Sequence, residues 1–192
     1  MNARVLQFAA FLILCCSTPA FGEVLKQNRQ LQNLWLPSGF QIGVESNPEW
    51  TWFSLDEKYY DVFVMESPEY YYPPSVIQVR YSKHHAEQRK THFHKTAYFT
   101  ILNVQKRINP NVFIKFRELA YVSYGELNGY EQVSTFNKDG VELSNKVFVG
   151  LNSQNKLIVL SASTLAGKME HIQPQLNRMW GSIRFLNRMS NQ

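Results

Sequence analysis

The feature that most constrains the fold of this chain is a period-two alternation of apolar and polar residues. In residues 75–82, Ile77 and Val79 fall on one side while Gln78 and Arg80 fall on the other. Successive side chains of a β-strand point to opposite faces, so this pattern predicts a half-buried strand. The same alternation, or a short apolar run, predicts further strands at residues 39–44, 50–55, 61–65, 112–122, 130–136, 141–151 and 156–162.

Two turn signals connect the last of these strands into a meander. Residues 137–140 read Asn-Lys-Asp-Gly, and Asp-Gly is a strong hairpin signal. Residues 152–155, Asn-Ser-Gln-Asn, separate the next pair of runs. Residues 130–163 are therefore predicted to form three antiparallel strands in succession.

Residues 93–108 show helical spacing instead. Their apolar residues recur at intervals of three or four, at Phe93, Ala97, Ile101, Val104 and Ile108. Thr91 is the predicted N-cap, because threonine side chains accept bonds from the first free backbone amides of a helix. Asn109 precedes Pro110, which predicts the end of the helix there.

A second helical pattern covers residues 165–183. Its apolar stripe consists of Leu165, Met169, Ile172, Leu176, Met179 and Ile183. Thr164 is the predicted cap. Pro174 lies inside the stripe and removes a backbone donor, so we expect it to kink the helix or split it in two. Residues 182–185 are predicted to add a short edge strand.

The order of these elements defines the fold class. Strands, a helix, more strands and a final helix predict an α+β domain with a central antiparallel β-sheet flanked by helices. Strict βαβ alternation is absent, which disfavours a doubly wound nucleotide-binding fold.

The first 22 residues have the layout of a secretory signal peptide. Arg4 precedes an apolar run, and small residues precede a predicted cut after Gly22. The run is shorter than the ~20 residues that a membrane-spanning helix needs. We therefore expect an exported protein, periplasmic or secreted, with an N-terminal arm at 23–36, loose or a short helix, one domain at 37–186 and a tail at 187–192.

Cysteine and charge exclude several classes of function. Both cysteines, Cys15 and Cys16, lie in the leader, so the processed chain has no disulfide, thiol nucleophile or thiolate metal site. Arg4 is the leader's sole charge, which leaves 19 of the 20 basic and all 15 acidic residues. The basic residues are dispersed, so a nucleic-acid interface is not expected. Weak attraction to an anionic membrane or polysaccharide remains open.

Several of these segments together carry a resemblance to a known family. They are "SGFQIGVESNPEW", a mid-chain helix, the meander "LNGYEQVSTFNKDGVELSNKVFVGLNSQNKLIVLSAST" and the closing "MWGSIRF". In this order they resemble the PsbP-like fold family, in particular the bacterial DcrB-like envelope proteins, with Gly129 and Ser182-Ile183-Arg184 at matching places. The resemblance implies an α-β-α sandwich and a non-enzymatic accessory role. It implies no catalytic residues, and the insert at 57–74 departs from the family pattern.

Aromatic residues supply the candidate interaction site. The candidates are Trp50, Trp52, Tyr70, Tyr71 and Tyr72. Three consecutive tyrosines cannot all enter one core face, so at least one is expected to be exposed, and interfaces favour exposed Tyr and Trp. The alternative is that both tryptophans fill the core and the tyrosines cover a long loop.

Four of the five histidines form the other candidate cluster, at His84, His85, His92 and His94. The i, i+4 pair that helical zinc sites use is absent, so an exposed loop is the preferred interpretation and no metal or other cofactor is assigned.

Three hypotheses follow. The first is a non-enzymatic envelope accessory protein that docks onto a protein partner. The second is a carbohydrate or cell-wall binding protein, or a hydrolase, that uses the aromatic residues of 50–72. The third is a metal protein built on the histidines. No G-x-S-x-G, P-loop or G-x-G-x-x-G motif occurs, and no catalytic residue is assigned.

Overall fold

The computed structural model describes residues 33–35, 41–43, 50–82, 90–152 and 155–186. Within these residues the chain forms two antiparallel sheets and two α-helices. The strands are β1 (Asn33–Trp35), β2 (Gln41–Gly43), β3 (Thr51–Asp56), β4 (Tyr60–Glu66), β5 (Val76–Ser82), β6 (Ala120–Tyr124), β7 (Leu127–Lys138), β8 (Val141–Leu151), β9 (Leu157–Leu165) and β10 (Arg184–Leu186). The helices are α1 (Phe93–Ile108) and α2 (Met169–Gly181).

The larger sheet has seven strands in the order β3-β4-β5-β9-β8-β7-β6. The smaller one has three, in the order β1-β2-β10. Every pairing is antiparallel. The predicted α+β class with an antiparallel sheet is therefore confirmed.

The predicted meander is confirmed as β7, β8 and β9. At the β7–β8 hairpin, Asp139 and Gly140 have φ of 50° and 80°. Asn137 Oδ1 accepts a bond from the Gly140 amide at 3.2 Å. Positive φ at both central residues matches the strand twist, which is why Asp-Gly specifies this turn.

The two helices contact different residues of the same strands. α1 packs with Val147 and Val149 of β8. α2 packs in a cluster with Phe148 of β8 and with Leu160 and Ala162 of β9. Because successive strand residues point to opposite faces, alternate residues of β8 are buried beneath different helices.

Both helices were predicted from their spacing, but neither predicted cap is used. α1 follows a 3₁₀ turn at Lys90–His92, so His92, not Thr91, precedes its first residue, and no side chain caps it. Thr164 lies inside β9, where its hydroxyl donates to the Pro74 carbonyl oxygen at 3.0 Å. That bond uses the side chain that was predicted to cap the helix.

α2 differs from its prediction in two further ways. It begins at Met169, after a turn that contains Gly167 with φ of 69°. Pro174 lies inside the helix, which nevertheless runs as one element to Gly181 and is not split. None of the helices among the described residues is long and apolar enough to span a bilayer.

Three short segments also depart from the predictions. Of residues 112–122, which were predicted as one strand, only the end is extended, and Phe116–Glu118 form a 3₁₀ turn. The predicted edge strand at 182–185 is β10, which pairs with β2 in the smaller sheet. Part of the arm, Asn33–Trp35, is a strand and neither loose nor helical. The leader and the tail at 187–192 lie outside the described residues.

A buried tyrosine in the core is expected to make the protein less stable at alkaline pH. Tyr81 is completely buried, and burial, together with the Asp61 carboxylate, raises its pKa from 10.0 to about 12. Between these values the unfolded chain releases the phenol proton first, so the free energy of unfolding falls with rising pH, by roughly 2–3 kcal/mol. Urea unfolding at pH 9 to 12 should show this fall, and Tyr81→Phe should reduce its slope, while Tyr124, whose pKa burial also raises, retains the rest. An identical slope in the variant would contradict the assignment.

Candidate functional site

The predicted aromatic site is only partly at the surface. Trp50 is 3% exposed and belongs to the main core cluster, so it was wrongly assigned to a partner-binding surface. The Tyr71 ring covers it, with the ring centroids 5.3 Å apart in an edge-to-face arrangement. The Trp52 side chain is outside the described part of the molecule. In residues 50–72, Trp50 therefore packs in the core, whereas exposed rings follow at Tyr70 and Tyr72.

Tyr70 and Tyr72 are those exposed rings, at 70% and 66%. Lys168 Nζ lies 5.7 Å from the centroid of the Tyr72 ring, within the range of a cation–π contact. Binding of a partner by Tyr70, Tyr71 and Tyr72 stays a prediction.

A second aromatic cluster surrounds an open cleft of about 590 Å³ beside β6. We call it the edge cleft. It lies between the start of α1, the β6–β7 hairpin and the β8–β9 turn, and its lining includes Thr91, His94, Tyr121, Glu126, Asn128, Tyr130, Asn152 and Asn155. Within the described sheet, β6 pairs with β7 alone, so the cleft lies at the edge.

Stacked rings form one wall of the edge cleft. The His94 imidazole lies between two rings, with its centroid 4.0 Å from Phe116 and 4.4 Å from Tyr130. Tyr121 meets Tyr130 edge to face at 5.1 Å. His94 Nε2 is buried and has no hydrogen-bond partner within the described residues. This wall therefore offers flat aromatic faces to the cleft, while His94 Nε2 stays buried behind them.

Amides and a carboxylate complete the lining. Asn128 Oδ1 accepts a bond from Ser123 Oγ at 2.8 Å, which orients its amide. Asn152 Oδ1 accepts a bond from the Lys156 amide at 2.9 Å. Glu126 lies 3.5 Å from Arg184. Aromatic faces beside oriented amides suit binding of a polar chain or ring by stacking and hydrogen bonds.

Large apolar side chains are exposed on β6 and on the segment between α1 and β6. Tyr121 is 62% exposed and Phe113 is 80% exposed, while Phe116 is exposed to a smaller extent. The sequence predictions missed all three. One signal was available, because Tyr121 falls on the same side of β6 as Ser123, where a polar residue is expected. Phe113 and Phe116 follow Pro110 without regular spacing, so neither period identified them.

The histidine cluster divides between described and undescribed residues. His84 and His85 lie outside the described residues. His92 is exposed in the 3₁₀ turn, whereas His94 is part of the stacked wall. No three His, Cys, Asp or Glu side chains of the described residues are placed to hold a metal ion. A site that includes His84 and His85 is untested.

Comparison with known proteins supports the fold at low sequence identity. No protein-family model and no curated protein matches the chain. A crystal structure of a protein from Bacteroides thetaiotaomicron has a TM-score of 0.52 at 12% identity, covering 84% of this chain and 50% of that one, so the chain spans half its length. LpqN, involved in cell envelope biogenesis of Mycobacterium tuberculosis, has a TM-score of 0.45 at 14% identity, covering 85% and 92%. At such identity, the first likeness concerns the fold alone.

Proposed function

We propose that this chain is an exported, non-enzymatic accessory protein of the cell envelope, which holds an extended segment of a protein partner in the edge cleft. The observation that carries the proposal is the exposed Tyr121 ring beside the stacked rings of His94 and Tyr130, on the strand that ends the sheet among the described residues.

The chemistry of the cleft favours a protein segment as the ligand. An edge strand presents backbone N–H and C=O groups to which an extended segment adds as a further strand. Tyrosine and other aromatic residues are enriched at the energetic centres of protein interfaces. Tyr121 lies on β6 itself, so one segment would pair with the β6 backbone and pack a side chain on this ring.

The surroundings of the His94 ring fit a binding role better than a catalytic role. A general base needs a hydrogen bond to the group from which it takes a proton. His94 is held by ring contacts with Phe116 and Tyr130, and its Nε2 is buried, so that nitrogen is closed to a group in the cleft. The ring therefore serves as a flat wall.

The envelope part of the proposal rests on the leader and on the resemblance to the PsbP-like family. α1 packs on Val147 and Val149 of β8, whereas α2 packs with Phe148, whose side chain points to the other face of the strand. This arrangement fits the α-β-α sandwich of that family. The accessory role implied by the resemblance agrees with an open, aromatic cleft.

Carbohydrate binding is the second candidate. Asn128, Asn152 and Glu126 stand beside Tyr121 and Tyr130, and amides with a carboxylate next to aromatic faces suit a sugar ring. In this case the ligand would occupy the cleft without pairing to β6.

Tyr121→Ala distinguishes the cleft from the predicted tyrosine surface. Partner capture from envelope fractions should weaken ~30-fold, the loss of an interface residue worth ~2 kcal/mol. Tyr72→Ala is the matched control, because Tyr72 is about equally exposed at 66%, and it should capture as the unaltered chain does. The measurement is quantitative pull-down against a concentration series of the bait.

Two other outcomes would support a different interface or a different ligand. Loss of capture in Tyr72→Ala, with Tyr121→Ala unaffected, would move the interface to the tyrosine surface. Saturable binding of cell-wall glycan fragments that Tyr121→Ala abolishes, with no captured protein, would favour the carbohydrate function.

A further inference from the structure

A second surface of the molecule, formed by α1 and the segment that follows it, is rich in basic residues. Residues 90–117 contain six Lys or Arg residues and no Asp or Glu. Among them Lys95, Lys106, Arg107 and Arg117 are exposed and make no ion pair within the described residues. Lys115 is paired with Glu118 at 3.1 Å, so its charge is offset.

The geometry of α1 places part of this charge beside an exposed ring. At ~100° per residue, Lys95, Phe99 and Lys106 fall within ~40° of one another on the helix. The buried residues Phe93 and Ala97 lie on the opposite side, against the sheet. The outer stripe of α1 therefore has a phenyl ring between two lysines.

The segment that follows α1 packs against the helix at Tyr98, beside this stripe. Tyr98 Oη donates to the Ile114 carbonyl oxygen at 3.2 Å, and the Tyr98 and Phe116 ring centroids are 5.2 Å apart. These contacts hold the segment against the helix. Ile114 is buried, which leaves its neighbour Phe113 pointing outward with 80% exposure.

We propose that this surface docks onto an anionic phospholipid bilayer. We call it the basic aromatic face, and it consists of Lys95, Phe99, Lys106, Phe113 and Arg117. Its cations lie at the negative surface while Phe99 and Phe113 enter the headgroup region. The inference goes beyond the proposed function, because it places the edge cleft next to a membrane.

Two observations favour lipid over a second protein partner. A protein interface normally pairs its charges, and lysine is depleted there, whereas cations that make no ion pair match a uniformly negative surface. The exposed rings here are phenylalanines, which have no polar group to pair with a protein and enter a lipid boundary without leaving one buried.

Vesicle binding tests the electrostatic part. The chain, purified as the cell processes it, should sediment with vesicles that contain phosphatidylglycerol and remain in solution with phosphatidylcholine alone. Lys95→Gln with Lys106→Gln should weaken binding about 25-fold, about fivefold per charge. Lys58→Gln with Arg178→Gln removes the same net charge elsewhere and should change binding less than about fivefold, as expected from charges held away from the surface.

Insertion is tested at Phe113. Phe113→Ala should weaken binding by roughly tenfold, the loss of part of a phenyl ring's apolar burial. In Phe113→Trp, lipids brominated in the acyl chains should quench the new indole. Tyr121→Ala should leave vesicle binding within about twofold while weakening partner capture ~30-fold, so either proposal can fail alone.

Three results would overturn the inference. Equal binding to both kinds of vesicle, or equal losses in the two double variants, would exclude a specific anionic-lipid face. Binding without quenching at position 113, competed by a soluble polyanion, would identify a polyanion or acidic protein as the ligand instead.

Discussion

Replacing Lys146 by methionine is expected to lower the free energy of unfolding by about 3–5 kcal/mol. The substitution keeps the aliphatic volume of the side chain but leaves the Glu131 carboxylate without its cation. A charge that loses its partner in a buried position retains the cost of leaving water and loses the attraction that offsets it. The expected effect is therefore far larger than that of losing a surface ion pair.

The network around Lys146 explains this expectation. Lys146 Nζ donates to Glu131 Oε1 at 3.1 Å and to Gln173 Oε1 of α2 at 2.7 Å. Tyr124 Oη donates to Glu131 Oε2 at 2.7 Å. Burial and this bond to Glu131 raise the pKa of Tyr124 above its usual range. The network links three strands to α2, and Lys146 supplies its positive charge.

A double-mutant cycle separates the ion pair from the packing. Lys146→Met and Glu131→Gln alone should each destabilise the protein, whereas the double variant should recover to within about 1.5 kcal/mol of the unaltered chain, because it leaves no unpaired charge. Chemical denaturation at pH 7 provides the four values. Additive losses in the double variant would show that the two side chains do not interact as the structure has them.

The position of Lys146 shows where sequence periodicity stops being informative. The alternation in residues 141–151 places Val147 and Val149 on the core side and Lys146 on the other side, which suggests solvent. In the structure β8 is a central strand between β7 and β9, and α2 covers that other side. Strand order and helix docking are long-range properties, and the local pattern does not contain them.

The local elements themselves were largely predictable. The spacing of apolar residues identified α1 and its end before Asn109, although the predicted cap at Thr91 placed its start one residue early, and Asp139-Gly140 identified the hairpin. Caps were less predictable, because Thr164 has a competing tertiary bond to Pro74. The strand β9 continues to Leu165 and α2 begins at Met169, so Thr164 lies too far from the helix to cap it.

The edge cleft could not be predicted, because its residues come from separate parts of the chain. His94 begins α1, Tyr121 and Tyr130 lie on β6 and β7, and Asn152 follows β8. Their proximity depends on the β6–β7 register, in which Tyr121 is opposite Tyr130, and on the docking of α1 onto the sheet. His94 was identified in the sequence as a metal candidate, but its ring contacts required the fold.

Trp180→Ala is expected to cost about 3–5 kcal/mol of unfolding free energy, as other large-to-small core substitutions do. Trp180 is fully buried, and its ring centroid lies 5.0 Å from Tyr124 and 6.5 Å from Phe148. Alanine would leave a cavity between α2 and the sheet and remove contacts to both rings.

Trp180→Phe separates cavity formation from the loss of a polar group. The indole Nε1 is buried and has no hydrogen-bond partner within the described residues. Phenylalanine removes this unsatisfied donor, which offsets part of the smaller cavity, so the cost should stay below about 2 kcal/mol. Tyr72→Ala, at an exposed ring, should stay within about 0.5 kcal/mol. Denaturation followed by far-ultraviolet circular dichroism measures all three variants without relying on the replaced indole. If alanine and phenylalanine cost the same small amount, Trp180 does not hold α2 to the sheet.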